Sequence, residues 1–464
     1  MSARVRVRSL VLSLLLLPLA VLPAVVGSGA TEPGSGEGSA GAGDAPVKAL
    51  VGGRLIDGFG GPPVEDSVVL IEGDTIAAVG REGEVEIPEG AEIVSTEGMS
   101  VLPGLWDAHV HLMIVGHSDY AYWDREYPDR FRSEIMPAAA EQLLLAGVTS
   151  AREVGAPLED VLAVREAIDA GEIPGPTLYV SGPFIQHEPY PGTEAFRWGV
   201  DGAEDARAKV RRLAEAGVDL IKLIDQDRMA MDEVRAVVDE AHRHELPVVA
   251  HSHRPEEIRR GIEAGVDCFE HTGLGTAPEY PADVYELMKE RADTLYWTPT
   301  ISPLLLYEYT RDGFAERLDD PRWKRNLPAD VVADVERSLE HWDRLDYYRS
   351  IPARRPTLER KFQQLRDSGT TLLIGTDSGV PGVFHTDSTW REIDTWVRRF
   401  GVPAMDAIRA ATYWPALQMG VLDRVGTVSP GKQADVIAVR GDVLRYPNRL
   451  SDVDVVIKGG VRYR

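Results

Sequence analysis

Six residues of the 464-residue chain have the types and settings that metal chemistry needs: His109, His111, Lys222, His251, His271 and Asp377. His109 and His111 stand two apart in Asp107-Ala108-His109-Val110-His111. On an extended strand both imidazoles leave the same face and can reach one cation. Neutral imidazole and carboxylate are the usual ligands of zinc and similar divalent metals. His251 and His271 each end an apolar run, and Asp377 follows another in Gly375-Thr376-Asp377-Ser378-Gly379. A lone histidine is more often an ordinary hydrogen-bonded residue, and His117, His242, His244 and His341 are read that way. Lys222 lies in Leu220-Ile221-Lys222-Leu223-Ile224, although only 8 of the 50 basic residues are lysine. A bare ammonium is costly in an apolar strand. Two readings of it stay open. Either it pairs with Glu153 or an aspartate, or carbon dioxide converts it to a carbamate whose two oxygens bridge two cations.

The elements that would gather these residues can be read from the apolar rhythm. Eight buried strand candidates recur: Val101–Trp106, Val148–Glu153, Thr177–Ser181, Val218–Ile224, Pro247–His251, Asp267–His271, Thr294–Thr298 and Thr371–Gly375. Helical periods lie between them, among them Leu158–Ala170, Ala203–Ala216, Met231–His244 and Pro255–Ala264. Strands alternating with helices eight times predict an α/β chain, a (β/α)8 TIM barrel spanning residues 103–422. In such a barrel the carboxyl ends of all strands open on one face, so residues remote in sequence meet there. Residues 47–102 and 423–464 carry short strands punctuated by turns, and predict one small β-sandwich made from both chain ends. Residues 301–366 form an insertion rich in aromatics (Tyr307, Tyr309, Trp323, Trp342, Tyr347 and Tyr348). Connections this long are lids or binding elements in some proteins and flank helices in others.

With 50 basic against 74 acidic residues the formal charge is −24, which argues against nucleic acid as a partner. The single cysteine, Cys268, excludes an internal disulfide framework. Arg4, Arg6 and Arg8 precede an apolar run from Leu10 to Val26 and the small residues Gly27-Ser28-Gly29-Ala30. That order is a secretory signal peptide over residues 1–30, followed by a flexible Gly/Ser-rich linker over 31–46. The expected product is exported, periplasmic or extracellular, without a membrane attachment beyond its leader. Its expected partner is a small-molecule substrate, and a homo-oligomer is compatible with everything above.

Leu102-Pro103-Gly104-Leu105-Trp106-Asp107-Ala108-His109-Val110-His111 resembles the first metal motif of the amidohydrolase superfamily. Gly147-Val148-Thr149-Ser150-Ala151-Arg152-Glu153 resembles its second strand, and Gly375-Thr376-Asp377-Ser378 its last catalytic motif. Ser429-Pro430-Gly431-Lys432-Gln433-Ala434-Asp435 resembles the return to the small β-domain. Within the superfamily the chain is most similar to prolidase-like and imidazolonepropionase-related amidohydrolases. The resemblance implies two divalent cations, zinc first among them, bridged by carboxylated Lys222. It implies His109 and His111 on the more buried cation, His251 and His271 on the second, and Asp377 as ligand and proton shuttle. A single cation held by His109, His111, His251 and Asp377 is the alternative.

The implied activity is metal-dependent hydrolysis of an amide or peptide-like C–N bond, in a dipeptide or N-acyl amino acid. Asp377 would take a proton as water attacks and hand it to the leaving amine. Deaminases of the superfamily usually place a glutamate three residues past the fifth-strand histidine, where this chain has Arg254. Ester or lactone hydrolysis uses the same chemistry, and an exported metal-containing binding protein is the non-enzymatic alternative. His187, in the loop after the third strand, and His253 and Arg254 beside His251 are the candidate substrate contacts. Arg254 offers a bidentate fork to a substrate carboxylate.

Overall fold

The computed structural model describes residues 47–273, 275–305, 316–341 and 346–464. The expected leader and linker lie outside the described residues, as do Tyr307, Tyr309, Trp342 and the side chain of Tyr347. Among the described residues no helix is long and apolar enough to cross a membrane.

The chain opens with β1 (Val47–Leu55), β2 (Val64–Glu72), β3 (Thr75–Arg81), β4 (Glu92–Ser95) and β5 (Met99–Pro103). The barrel strands follow: β6 (Leu105–Val110), β7 (Val148–Glu153), β8 (Thr177–Val180), β9 (Phe184–Gln186) and β10 (Arg197–Gly199). They continue with β11 (Ile221–Leu223), β12 (Val248–His251), β13 (Cys268–Glu270), β14 (Tyr296–Thr298) and β15 (Thr371–Leu372). The chain closes with β16 (Val436–Arg440), β17 (Val455–Lys458) and β18 (Val461–Arg462).

β6, β7 and β8 pair in parallel, as do β11 through β15 in succession. Backbone bonds join the two runs at both seams: Asp219 N–H to Val180 O (2.8 Å), and Ala108 N–H to Ile374 O (2.9 Å). Eight strands thus close a TIM barrel. β9 and β10 are a short parallel pair at its rim, β9 touching β11 through Ile185 and Leu223. The intervening helices bury one stripe each, such as Ala206, Val210 and Leu213 on Gly202–Glu215. Pro255–Ala264 stops at Gly265, whose φ of 97° is the left-handed C-terminal stop.

The first expected strand, Val101–Trp106, requires correction, because that run is divided between two sheets. Gly104 N–H donates to Asp435 O (2.9 Å) in the end sheet, whereas Leu105 N–H donates to Gly147 O (2.9 Å) in the barrel. A Cβ on Gly104 would collide with the Thr149 side chain, so only glycine permits this crossing. The first barrel strand therefore starts at Leu105 and carries His109 inside it, with His111 just beyond.

Both ends of the chain build the remaining eight-stranded sheet, in the order β18-β17-β16-β5-β1-β2-β3 with β4 beside β1. It curls until Ile76 N–H reaches Lys432 O and Ala434 N–H reaches Asp74 O (2.8 and 2.7 Å). Leu50, Val69, Ile71, Val101, Val436 and Ile457 fill the resulting sandwich. Inside the barrel, Trp106, Tyr179, Leu220, Val249, Cys268 and Leu373 belong to one buried apolar layer. Two residues further along their strands stand Lys222, His251 and Glu270, which by the period of two share that inward face. The apolar layer is the floor on which the polar groups rest.

Parts of the insertion lie in two different places. Its helix Ala329–Leu339 packs beside the segment after β6, where Ser118 N–H donates to Ser338 Oγ (3.0 Å) and Trp323 stacks on Phe384 (4.6 Å). Leu304, Tyr348 and Arg354 instead line the cavity above the barrel mouth.

Candidate metal centre

The barrel brings five of the six expected ligands into two groups. Ligand atoms of His109, His111 and Asp377 all lie within 4.8 Å of one another, and those of His251, His253 and His271 do the same. Asp377 Oδ1 is 3.4 Å from both His109 Nε2 and His111 Nε2. His271 and Asp377 take positive φ, 75° and 56°, a region costly for non-glycine residues. Backbone bonds hold them there: His271 N–H to Thr298 O (2.7 Å) and Asp377 N–H to His109 O (2.8 Å).

Several buried polar atoms here have no hydrogen-bond partner among the described residues: His109 Nε2, His111 Nδ1, Lys222 Nζ, His251 Nδ1, His253 Nδ1 and His271 Nε2. Unsatisfied buried polar atoms are rare and call for an explanation. Burial holds the His251 and His271 imidazoles well below their usual pKa, so they are neutral and keep a lone pair for a ligand. For Asp377 burial works toward protonation, but His109 and His111 outweigh it and keep the carboxylate ionised.

Lys222 is wholly buried, and among the described residues no carboxylate comes within 4.0 Å of its Nζ. The pairing with Glu153 or an aspartate is not what the structure has. Burial pulls its amine down to about 8, and pushes the Glu153 carboxyl, 3.8 Å from His111 Nδ1, up to about 8.

Three groups that support this centre were not singled out from the sequence. Glu270 Oε2 accepts from His109 Nδ1 at 2.6 Å, which fixes the tautomer and presents Nε2 to the centre. Arg152 Nη2 reaches Glu270 Oε1 at 2.8 Å, and its Nε donates to Ala108 O at 2.7 Å. Burial alone would raise the Glu270 carboxyl, but Arg152 and His109 hold it at about 2. His385, also buried, approaches the His111 carbonyl with Nε2 at 3.2 Å. Glu270 carried the same signal as Lys222, a charged side chain ending an apolar run, whereas Arg152 lies in the polar run Thr149-Ser150-Ala151-Arg152-Glu153 and did not.

Of the three expected substrate contacts, His253 and Arg254 line the cavity and His187 requires correction. His187 is exposed and does not line the cavity. Tyr190, itself exposed, and half-buried Arg197, at the start of β10, line the cavity in its place. Arg254 is at the cavity wall, but Asp225 (2.7 Å), Asp227 (2.5 Å) and Glu257 (2.9 Å) already engage it at the start of its helix. His253 faces the cavity within the second imidazole group.

A cavity of about 360 Å³ opens over both groups. Its wall is mixed, with Met113, Phe184, Phe196 and Leu304 beside Arg197 and Arg354. A barrel with two groups of candidate metal ligands at its strand ends, beneath such a cavity, is an arrangement able to hold cations against a bound small molecule. Residues 100–462 match the amidohydrolase family, and the chain belongs to it: it is an enzyme, a hydrolase acting on carbon–nitrogen bonds.

Ochratoxinase from Aspergillus niger is 26% identical over 459 residues, covering 89% of this chain and 84% of that protein. Imidazolonepropionase from Micrococcus luteus is 26% identical over 404 residues, covering 81% and 88%. Among solved structures, a Xaa-Pro dipeptidase with methionine bound in its active site superposes with a TM-score of 0.69 at 25% identity. That likeness covers 90% of this chain and 100% of the dipeptidase.

Proposed function

We propose that this enzyme hydrolyses the amide bond of a small N-acyl amino acid or dipeptide, using two divalent cations, zinc first. His109, His111 and Asp377 would hold one cation, His251 and His271 the other, and carboxylated Lys222 would bridge them. The observation that carries this reading is the set of buried, partnerless nitrogens converging beneath one cavity. Cations bound there supply the charge that polarises a scissile carbonyl and makes hydroxide available near neutral pH. Asp377, kept ionised, accepts the proton of the attacking water and returns it to the leaving nitrogen. Glu270 keeps His109 in the required tautomer throughout.

The cavity volume suits a small substrate, and its apolar wall suits an acyl group. The similarity to a dipeptidase supports a peptide-like bond. Arg254 is a permanently protonated guanidinium and cannot accept and return a proton as a deaminase's glutamate does at that position. Elemental analysis of untreated protein, combined with a library of dipeptides and N-acyl amino acids, tests the reading. Two metals per chain and turnover that a chelator abolishes are expected. Turnover that survives complete metal removal would overturn it.

Lys222→Met is expected to lower the bound metal from two ions to one or fewer, because the bridging oxygens go with the amine. Elemental analysis reads this, and retention of two ions would dismiss the bridge. The export reading rests on the basic, apolar and small-residue order of the first thirty residues. Amino-terminal sequencing of the native protein should begin near Thr31, and a start at Met1 would contradict export with cleavage.

A further inference from the structure

We infer that Arg197 is the anchor for a single carboxylate on the substrate, the group that decides which amides this enzyme accepts. The inference rests on the amide-hydrolase reading above and deepens it.

Arg197 opens β10, held in register by its pairing with Phe184 of β9. Three rings surround its guanidinium, whose carbon lies 4.5 Å from the Tyr190 centroid, 4.9 Å from Phe184 and 5.5 Å from Phe196. Such rings stabilise the cation and strip it of water while leaving the plane of the fork open. Nη1 donates to Gln186 Oε1 at 3.1 Å, and the buried Nε has no partner among the described residues.

Among the described residues no carboxylate comes within 4.0 Å of this guanidinium. Arg152 and Arg317, buried elsewhere, each meet a carboxylate, at 2.8 and 2.9 Å. Burial accordingly moves Arg197 below the usual arginine pKa. A largely desolvated cation on a cavity wall is satisfied when an anion arrives, and the planar fork fits a carboxylate with two parallel bonds.

Arg254 and Arg354 line the same cavity, as do Asp124, Asp225 and Asp377. The apolar wall takes the acyl part, so the acceptable molecule is an N-acyl amino acid or dipeptide with its carboxyl group free. Arg254, the arginine expected from sequence to do this, is ion-paired to Asp225, Asp227 and Glu257, whereas among the described residues Arg197 meets no carboxylate within 4.0 Å.

The test uses the metal-loaded protein and two substrates that differ by one charge, an N-acyl amino acid and its primary carboxamide. Wild type should favour the acid in kcat/KM by roughly 10–100-fold, the worth of a charge-assisted hydrogen-bonded pair. In Arg197→Met the ratio should collapse toward unity, and in Arg197→Lys it should fall part of the way, since an ammonium offers no fork. Arg197→Lys decides the matter if Arg197→Met does not fold. Absence of preference in wild type, or a preference that survives either substitution, overturns the inference. So does a preference lost in Arg354→Met but kept in Arg197→Met. Hydrolysis of neither substrate series by the metal-loaded wild type strikes instead at the amide-hydrolase reading, and the carboxylate anchor falls with it.

Discussion

Asp377→Asn is expected to lower kcat by roughly 10²–10⁴-fold, the range that a positioned general acid–base contributes. Asparagine keeps an oxygen toward His109 and His111 but has no site that can take up a proton and release it again. Metal content should fall much less than turnover, because the imidazoles remain. The two quantities are read separately, kcat by steady-state kinetics and metal by elemental analysis. Undiminished turnover with normal metal content would remove Asp377 from the mechanism. The backbone supports the reading independently, since the residue is held at a positive φ by its bond to His109 O.

Glu270→Gln should be the most damaging change at a residue that touches no substrate. Its carboxylate is wholly buried between Arg152 and His109 at 2.8 and 2.6 Å. Removing that charge strands Arg152, and breaking a buried pair costs about 3–5 kcal/mol. It also loosens His109, and loss of such a supporting contact typically lowers metal affinity by about 10–100-fold. The pH dependence is specific. Glu270 titrates at about 2 in the folded protein against an ordinary 4.5, so its contribution is fully present above 4.5 and is lost as pH falls through 2. Urea unfolding should therefore find the variant much weaker than wild type at pH 7, with the gap closing in acid. Equal stabilities at neutral pH would contradict this account.

Much of the site was legible because its residues break the local pattern. His109 and His111 two apart, histidines ending β12 and following β13, and a lysine inside β11 are each conspicuous against apolar strands. The strand ends supplied the common destination. What escaped was whatever depends on pairing in space. Arg152 and Glu270 sit on different strands and take their meaning from each other. Arg254 reads as a free cation until Asp225, Asp227 and Glu257 are seen around it. His187 and Arg197 share one loop, and only the folded chain shows that the arginine lines the cavity and the histidine does not. The boundary at Gly104 was missed for a similar reason. An uninterrupted apolar run looks like one strand, although its two halves answer to Asp435 and Gly147.

The sheet assembled from both chain ends sets the order in which the polypeptide can mature. Arg54 Nη1 is bonded to Asp442, 388 residues further on, and β5, which lies beside β1 on one edge, finds its other neighbour in β16. At about 5–20 residues per second of synthesis, the opening strands wait on the order of 20–80 s for their partners. Closure of so distant a contact is slow, and the nascent amino-terminal strands keep an unpaired edge throughout that interval. Full-length chains, and not fragments lacking the last three strands, are the form in which the barrel gains its finished base.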